Sequence, residues 1–210
     1  MALADVELTV PNYRLPADVE EFLREADDRI DHFNRTKAPR PSGFVASDFV
    51  TVYRALRAIS EGNLGSGHAF CEWGSGFGVV ASLAAMLEFD ACGIEIDRSL
   101  VDHSTSLAGD FDVPAEFVHG SFIPPGGEPI AEEVYTANTG DFFWLETNAD
   151  NAYEELGLDA DDFDLIFAYP WPGEEYVLEH LFDHFAAEGA LLVTYVQIDS
   201  VRVRRKVMPR

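Results

Sequence analysis

The stretch A-F-C-E-W-G-S-G-F-G-V-V-A-S-L-A-A-M-L-E-F-D-A-C-G-I-E-I-D, from Ala69 to Asp97, constrains this chain more than any other. It reads as a strand, a glycine loop, a helix and a second strand. A carboxylate sits near the end of each strand: Glu72 ahead of Gly74, Gly76 and Gly78, and Glu95 in G-I-E-I-D. Strand patterns that alternate with helical ones predict βαβ units and a parallel sheet. Glycine has no Cβ, so its backbone takes φ > 0 readily and a ligand can lie against it. The helix behind the loop offers unpaired N–H groups and the positive end of its dipole.

The spacing narrows the ligand. Glu95 lies about 20 residues beyond the loop, where a carboxylate in a βαβ unit accepts hydrogen bonds from ribose hydroxyls. A dinucleotide fingerprint, G-x-G-x-x-G, would need a third glycine at position 79. That residue is Val79, and the third glycine is Gly78. This argues against an NAD-type oxidoreductase. From the residues alone, a tight strand-to-helix turn in an ordinary α/β protein stays open as well.

The pattern E-x-G-x-G-x-G resembles motif I of the class I S-adenosylmethionine methyltransferases. The resemblance spans about residues 44 to 196. It implies an α/β fold: a Rossmann-like, doubly wound, mostly parallel sheet with flanking helices, here with an N-terminal helical extension. It implies S-adenosylmethionine as cofactor, with Glu72 near the methionine part. Gly74, Ser75, Gly76 and Gly78 would line the adenosyl path, and Glu95, followed by Ile96, would take the ribose. The residue after the third strand of the unit often meets the adenine amino group in this family. Here it is Ser121 in H-G-S-F, where aspartate is common, and Phe122 would pack against the base.

Composition bounds the setting. A length of 210 residues suits one domain with a modest extension. We read residues 1–43 as a helical extension and connector, and 44–210 as the cofactor-binding domain, with an insertion at about 123–162. Net charge is −24, from 38 acidic against 14 basic residues. Such a surface repels phosphate backbones and weighs against nucleic acid as a partner. No apolar run reaches the about 18 residues of a membrane helix. M-A-L-A-D-V-E-L has no basic region followed by an apolar block, so a cytoplasmic protein is expected. Cys71 and Cys92 fall on the two strands and read as small buried apolar residues. No disulfide or zinc site is expected. The acids Asp159, Asp161, Asp162 and Asp164 lack the EF-hand glycine and glutamate, so they read as a solvated turn and no metal is expected. Arg202, Arg204, Arg205, Lys206 and Arg210 read as a solvated edge strand or tail, with a substrate-docking strip as the alternative.

Hydrophobic periodicity places the remaining elements. Val19, Phe22, Leu23, Ala26, Ile30 and Phe33 predict an amphipathic helix over 17–33. Pro39, Pro41 and Gly43 mark a connector over 34–43. A helix follows from Ser47 or Asp48 to about Ser60. The segment Phe44 to Asp48 is similar to the approach segment of small protein-lysine methyltransferases, with Ala46 where those have proline. Further predictions are strands at 68–73, 91–96, 115–119, 163–168, 190–196 and 201–207. Helices are predicted at 77–88, 99–108 and 173–187. Within 123–162 the aromatics Tyr135, Phe142, Phe143, Trp144 and Tyr153 predict order, with a short helix near 149–156.

Ligands of open α/β sheets bind beyond the carboxyl ends of the strands. The loop Tyr169-Pro170-Trp171-Pro172 ends one strand there. It resembles motif IV of amino-group methyltransferases, with Tyr169 in place of the acid or amide and Trp171 in place of the second proline. Aromatic faces attract a sulfonium or ammonium cation, which makes Tyr169 and Trp171 the candidate catalytic residues. Tyr169, His119 and Glu174 are the candidate proton acceptors. The resemblance therefore implies methyl transfer from S-adenosylmethionine to an unidentified acceptor, a protein lysine or a small molecule. The alternative is a non-catalytic module that binds S-adenosylmethionine or a nucleoside.

Overall fold

The computed structural model describes residues 2–36, 45–137, 151–171, 173–196 and 200–208. In chain order the elements are β1 (Leu3–Asp5), α1 (Ala17–Thr36), α2 (Phe49–Glu61), β2 (Ala69–Trp73), α3 (Val79–Met86), β3 (Asp90–Glu95) and α4 (Arg98–Asp110). There follow β4 (Glu116–His119), α5 (Glu128–Ala137), α6 (Ala152–Leu156), a 3-10 turn (Ala160–Asp162), β5 (Leu165–Ala168), α7 (Glu175–Phe185), β6 (Leu191–Val196) and β7 (Ser200–Lys206).

The strands form one seven-stranded sheet in the order β1-β7-β6-β5-β2-β3-β4. β4, β3, β2, β5 and β6 are parallel, and β7 runs antiparallel to both β6 and β1. The strand order reverses at β2, between β3 and β5. The central strands read F-C-E-W and L-I-F-A because helices cover both faces, which a parallel sheet requires.

Alternation along the strands separates the two faces. Cys71, Trp73, Cys92, Ile94, Val118, Ile166 and Leu192 pack against residues of α5, α6 and α7. Phe70, Ala91, Leu165, Phe167 and Val193 face α2 and α3. α3 is buried at every position from Val79 to Ala85. It is apolar all round because the sheet lies on one side and α1 and α2 on the others. The predicted stripe Val19, Phe22, Leu23, Ala26, Ile30 and Phe33 of α1 is buried in one cluster with Leu83 of α3 and Leu100 and Leu107 of α4. Each large side chain buried this way contributes roughly 1.5–3 kcal/mol. α2 starts where Asp48 accepts from the Val50 and Thr51 N–H groups at 3.0 and 3.1 Å.

Two expectations change. The basic cluster on β7 is spent on structure and leaves no docking strip among the described residues. Arg202 pairs with Asp5 at 2.8 Å, and Arg204 forms a buried pair with Glu179 at 2.6 Å. Arg205 donates to the Gly189 and Leu64 carbonyls, and Lys206 to the Ala186 carbonyl. The described residues of the segment 123–162 are also more regular than expected. The first part of the segment is α5, a crossover helix that packs on α7. α6 lies within the range predicted near 149–156. Residues 37–44 of the connector and approach segment, Phe142, Phe143 and Trp144, Pro172, and Arg210 lie outside the described residues. Among the described residues no helix is long and apolar enough to cross a membrane.

Candidate functional site

The glycine loop is built on one carbonyl. Ile94 O accepts from the N–H groups of Gly74 and Ser75 at 2.9 and 3.0 Å, and Gly78 N–H closes the turn onto Ser75 O at 2.7 Å. Gly74, Gly76 and Gly78 have φ of +73°, +53° and +66°, a region that L side chains rarely adopt. Their surroundings differ. A Cβ on Gly74 would meet nothing within 4 Å, so that face is open. A Cβ on Gly78 would stand 2.3 Å from the Phe117 ring and 2.6 Å from Ser104 Cβ. Gly78 is thus a packing glycine, and Gly74 leaves room. Ser75 is turned inward: its Cβ would be 2.6 Å from a Cβ on Gly93, so β3 needs glycine there for Ser75 to seat.

Glu72 and Glu95 both occupy strand positions that face α3. Glu72 Oε2 accepts from the Ala81 N–H at 2.8 Å. Gly78 stands at the start of α3 and has no side chain to cap it, so the carboxylate of the preceding strand satisfies a first-turn N–H instead. Burial pushes the Glu72 carboxyl well above its ordinary value, the nearby Glu95 charge adds to this, and the Ala81 N–H opposes it. Glu95 links the loop to β3. Its Oε2 accepts from Gly76 N–H at 2.8 Å and its Oε1 from Asp97 N–H at 2.9 Å. Burial raises its carboxyl too, against the pull of backbone N–H groups of Asp97, Gly76 and Ile96. A carboxylate offers about four lone-pair sites, so Glu95 retains acceptor capacity for a hydroxyl. Asp97 caps α4 through Ser99.

The turn after β4 lies beside Glu95, whose carbonyl accepts from Gly120 N–H at 3.0 Å. Ser121 pairs with Asn151 in an isolated parallel bridge, and its Oγ accepts from Ile123 N–H at 3.2 Å. The Phe122 ring stacks on Trp73, with centroids 5.5 Å apart and planes 16° apart. His119 stands opposite Glu95 in the strand register.

The end of β5 lies at the same edge of the sheet, on the other side of β2. Tyr169 meets Tyr195 of β6 edge to face at 5.0 Å. Trp171 N–H donates to Glu174 Oε2 at 2.9 Å, and Glu174 N–H donates to the Trp171 carbonyl at 2.9 Å. This reciprocal pair closes the turn ahead of α7, and it commits Glu174, whose carboxyl is raised by burial, to the loop. Gly173 has φ +98°, and its N–H donates to Glu175 at 2.8 Å.

All sequence-predicted site residues therefore cluster at the carboxyl ends of β2 to β5, on both sides of the switch point. Sequence reasoning missed Trp73, Tyr153, the use of Glu72 on the first turn of α3 and the use of Glu174 in closing the β5 loop. Only the last left a local trace: a glutamate three residues past the start of the turn. Asp159, Asp161 and Asp162 bring carboxylate oxygens within 4.8 Å of one another, but they lie on the turn entering β5, where Asp162 accepts from Asp159 N–H. Asp164 accepts from Ala69 N–H and Ser66, pinning the start of β2 to that of β5.

No family model matches the chain, and no curated protein matches it. Solved structures do resemble it. A methyltransferase from Geobacter sulfurreducens superposes with a TM-score of 0.52 at 14% identity, covering 93% of this chain and 92% of that one. An RNA methyltransferase from Salinibacter ruber in complex with S-adenosyl-L-homocysteine gives 0.49 at 16% identity, covering 80% of this chain and 95% of that one. At this identity the Geobacter likeness establishes the fold.

Proposed function

We propose that this chain, which has the class I methyltransferase fold, transfers a methyl group from S-adenosylmethionine to a small molecule or a protein lysine. The observation that carries the reading is Glu95. It ends β3, holds the glycine loop through Gly76 and keeps acceptor capacity for ribose hydroxyls, and in the same loop the Cβ side of Gly74 is open. A nucleoside thioether fits that combination. Glu72 supports the site indirectly, by fixing α3 and with it the loop. Ser121 and Phe122 supply the base end.

Methyl transfer asks for alignment above all. An acceptor lone pair forms the new bond to the methyl carbon while the carbon–sulfur bond breaks and its electrons return to sulfur. Holding donor and acceptor in line removes much of the barrier. Tyr169 and Trp171 stand where the acceptor would enter, and an aromatic face there favours a sulfonium or ammonium cation. Tyr169 is our candidate for taking a proton from the acceptor; His119, also a candidate from the sequence, is on β4, with β2 and β3 between it and β5, and so belongs to the base side of the site.

A second reading has its own observation. Among the described residues of the β5 loop, Glu174 is occupied by Trp171 N–H and Glu175 by Gly173 N–H, and Tyr169 packs on Tyr195. That favours a module that binds the nucleoside without turnover. Calorimetric titration with S-adenosylhomocysteine tests the shared premise. Binding to wild type, and weaker binding by about tenfold in Glu95→Ala, is expected. Unchanged affinity in the variant refutes the ribose assignment. Methylation of peptide or metabolite pools then separates enzyme from module.

A further inference from the structure

We propose that Tyr153, carried by the segment between α5 and β5, is a positioning residue for the base end of the site. The inference rests on the nucleoside-binding reading above. The Tyr153 hydroxyl donates to the Phe122 carbonyl at 2.7 Å. Its ring is buried in one cluster with Trp73, Cys71 and Cys92, and the hydroxyl lies against the Trp73 indole. Phe122 in turn stacks on Trp73. One side chain therefore grips the turn after β4 from its main chain, while the indole it touches supports the same turn from its ring.

The grip is braced at both ends of α6. Asn151 accepts from Tyr153 N–H at 3.1 Å and so starts the helix, and Gly157, with φ +65°, ends it. Asn151 also pairs through its backbone with Ser121. Ser121 and Phe122 are thus held by three contacts, from Asn151, Tyr153 and Trp73, all far away in sequence. Nothing in the reaction needs Tyr153 itself. Its hydroxyl points at the protein backbone, and its effect on a ligand must run through the orientation of Ser121 and Phe122.

This predicts an effect on which base is accepted. In wild type the held turn presents main-chain donors and acceptors of fixed polarity to the base, and a 6-amino and a 6-oxo purine, whose N1–C6 edges have opposite polarity, are bound unequally. Tyr153→Phe keeps the buried ring and removes the grip. Affinity for S-adenosylhomocysteine is expected to fall about fivefold, while affinity for S-inosylhomocysteine falls less, so that the ratio between the two ligands narrows. Asn151→Ala, which releases the start of α6, is expected to narrow the ratio in the same direction. Calorimetric titration of the full chain with both ligands reads this out. Equal losses for the two ligands, or no loss, overturn the positioning role, since a purely structural tyrosine would leave the ratio unchanged. Failure of wild type to bind either ligand overturns the nucleoside reading instead, and this inference falls with it.

Discussion

Gly74 and Gly78 share a positive φ but answer to different neighbours, so alanine should harm them differently. At Gly78 a Cβ would strike Phe117 and Ser104, and overpacking adds about 1–3 kcal/mol to the backbone strain. Gly78→Ala is expected to lower the melting temperature by several degrees with or without ligand, at about 2–4 °C per kcal/mol for a chain of this size. At Gly74 only the backbone strain remains. Gly74→Ala is expected to fold with a small loss and to bind S-adenosylhomocysteine at least tenfold more weakly, because the methyl enters the open face. Thermal melts and titrations on the two variants check this; identical profiles would contradict it.

Glu72 carries a pH prediction. Its folded carboxyl is raised well above the ordinary 4.5, so the folded state binds the proton more tightly than the unfolded chain does. Stability from this group is full below the unfolded value and declines as pH rises through the folded one. Glu72→Gln keeps an oxygen for Ala81 N–H and removes the buried charge. The variant should melt higher than wild type at pH 8, and the gap should close near pH 4. A variant that melts lower across the range would show that the carboxylate itself is needed. The spacing E-x-G-x-G-x-G was readable in the sequence, and so was Glu95. The inward turn of Ser75 was not, because it depends on Gly93, a residue of the neighbouring strand.

At the level of elements, those that sequence revealed carry strong local signals. The apolar stripe of α1 and the Asp48 cap of α2 are examples. β1 carries none: three residues become a strand only because Leu3, Ala4 and Asp5 pair with Lys206, Arg205 and Arg204. α5 did leave a signal, with Glu128 and Pro129 in its first turn, but the preceding P-P-G-G masks it as a loop. The basic residues of β7 show how far charge alone can mislead. Arg204 and Glu179 tie β7 to α7 with side chains 7% and 14% exposed. Breaking such a pair costs about 3–5 kcal/mol because it strands a buried charge. Arg204→Met is expected to destabilise by that order in denaturant titration, and adding Glu179→Leu to recover most of it. A double variant no better than the single one would mean that the pair acts through geometry more than through charge.

For the whole molecule, topology makes the site. β3 and β5 flank β2, so the glycine loop, the β4 turn and the β5 loop all lie at the carboxyl edge of the sheet, although Glu72 and Trp171 are far apart in sequence. Helix and strand periods made the parallel core legible. The order of strands and the grip of α6 on the β4 turn were not, because both arise from contacts between distant segments. The central claim concerns where a nucleoside thioether lies. A crystal structure of the chain with S-adenosylhomocysteine tests it most directly. The account predicts density across the carboxyl ends of β2 and β3, with the ribose hydroxyls within hydrogen-bonding distance of Glu95. Density elsewhere on the molecule, or a ribose bound without Glu95, would contradict it.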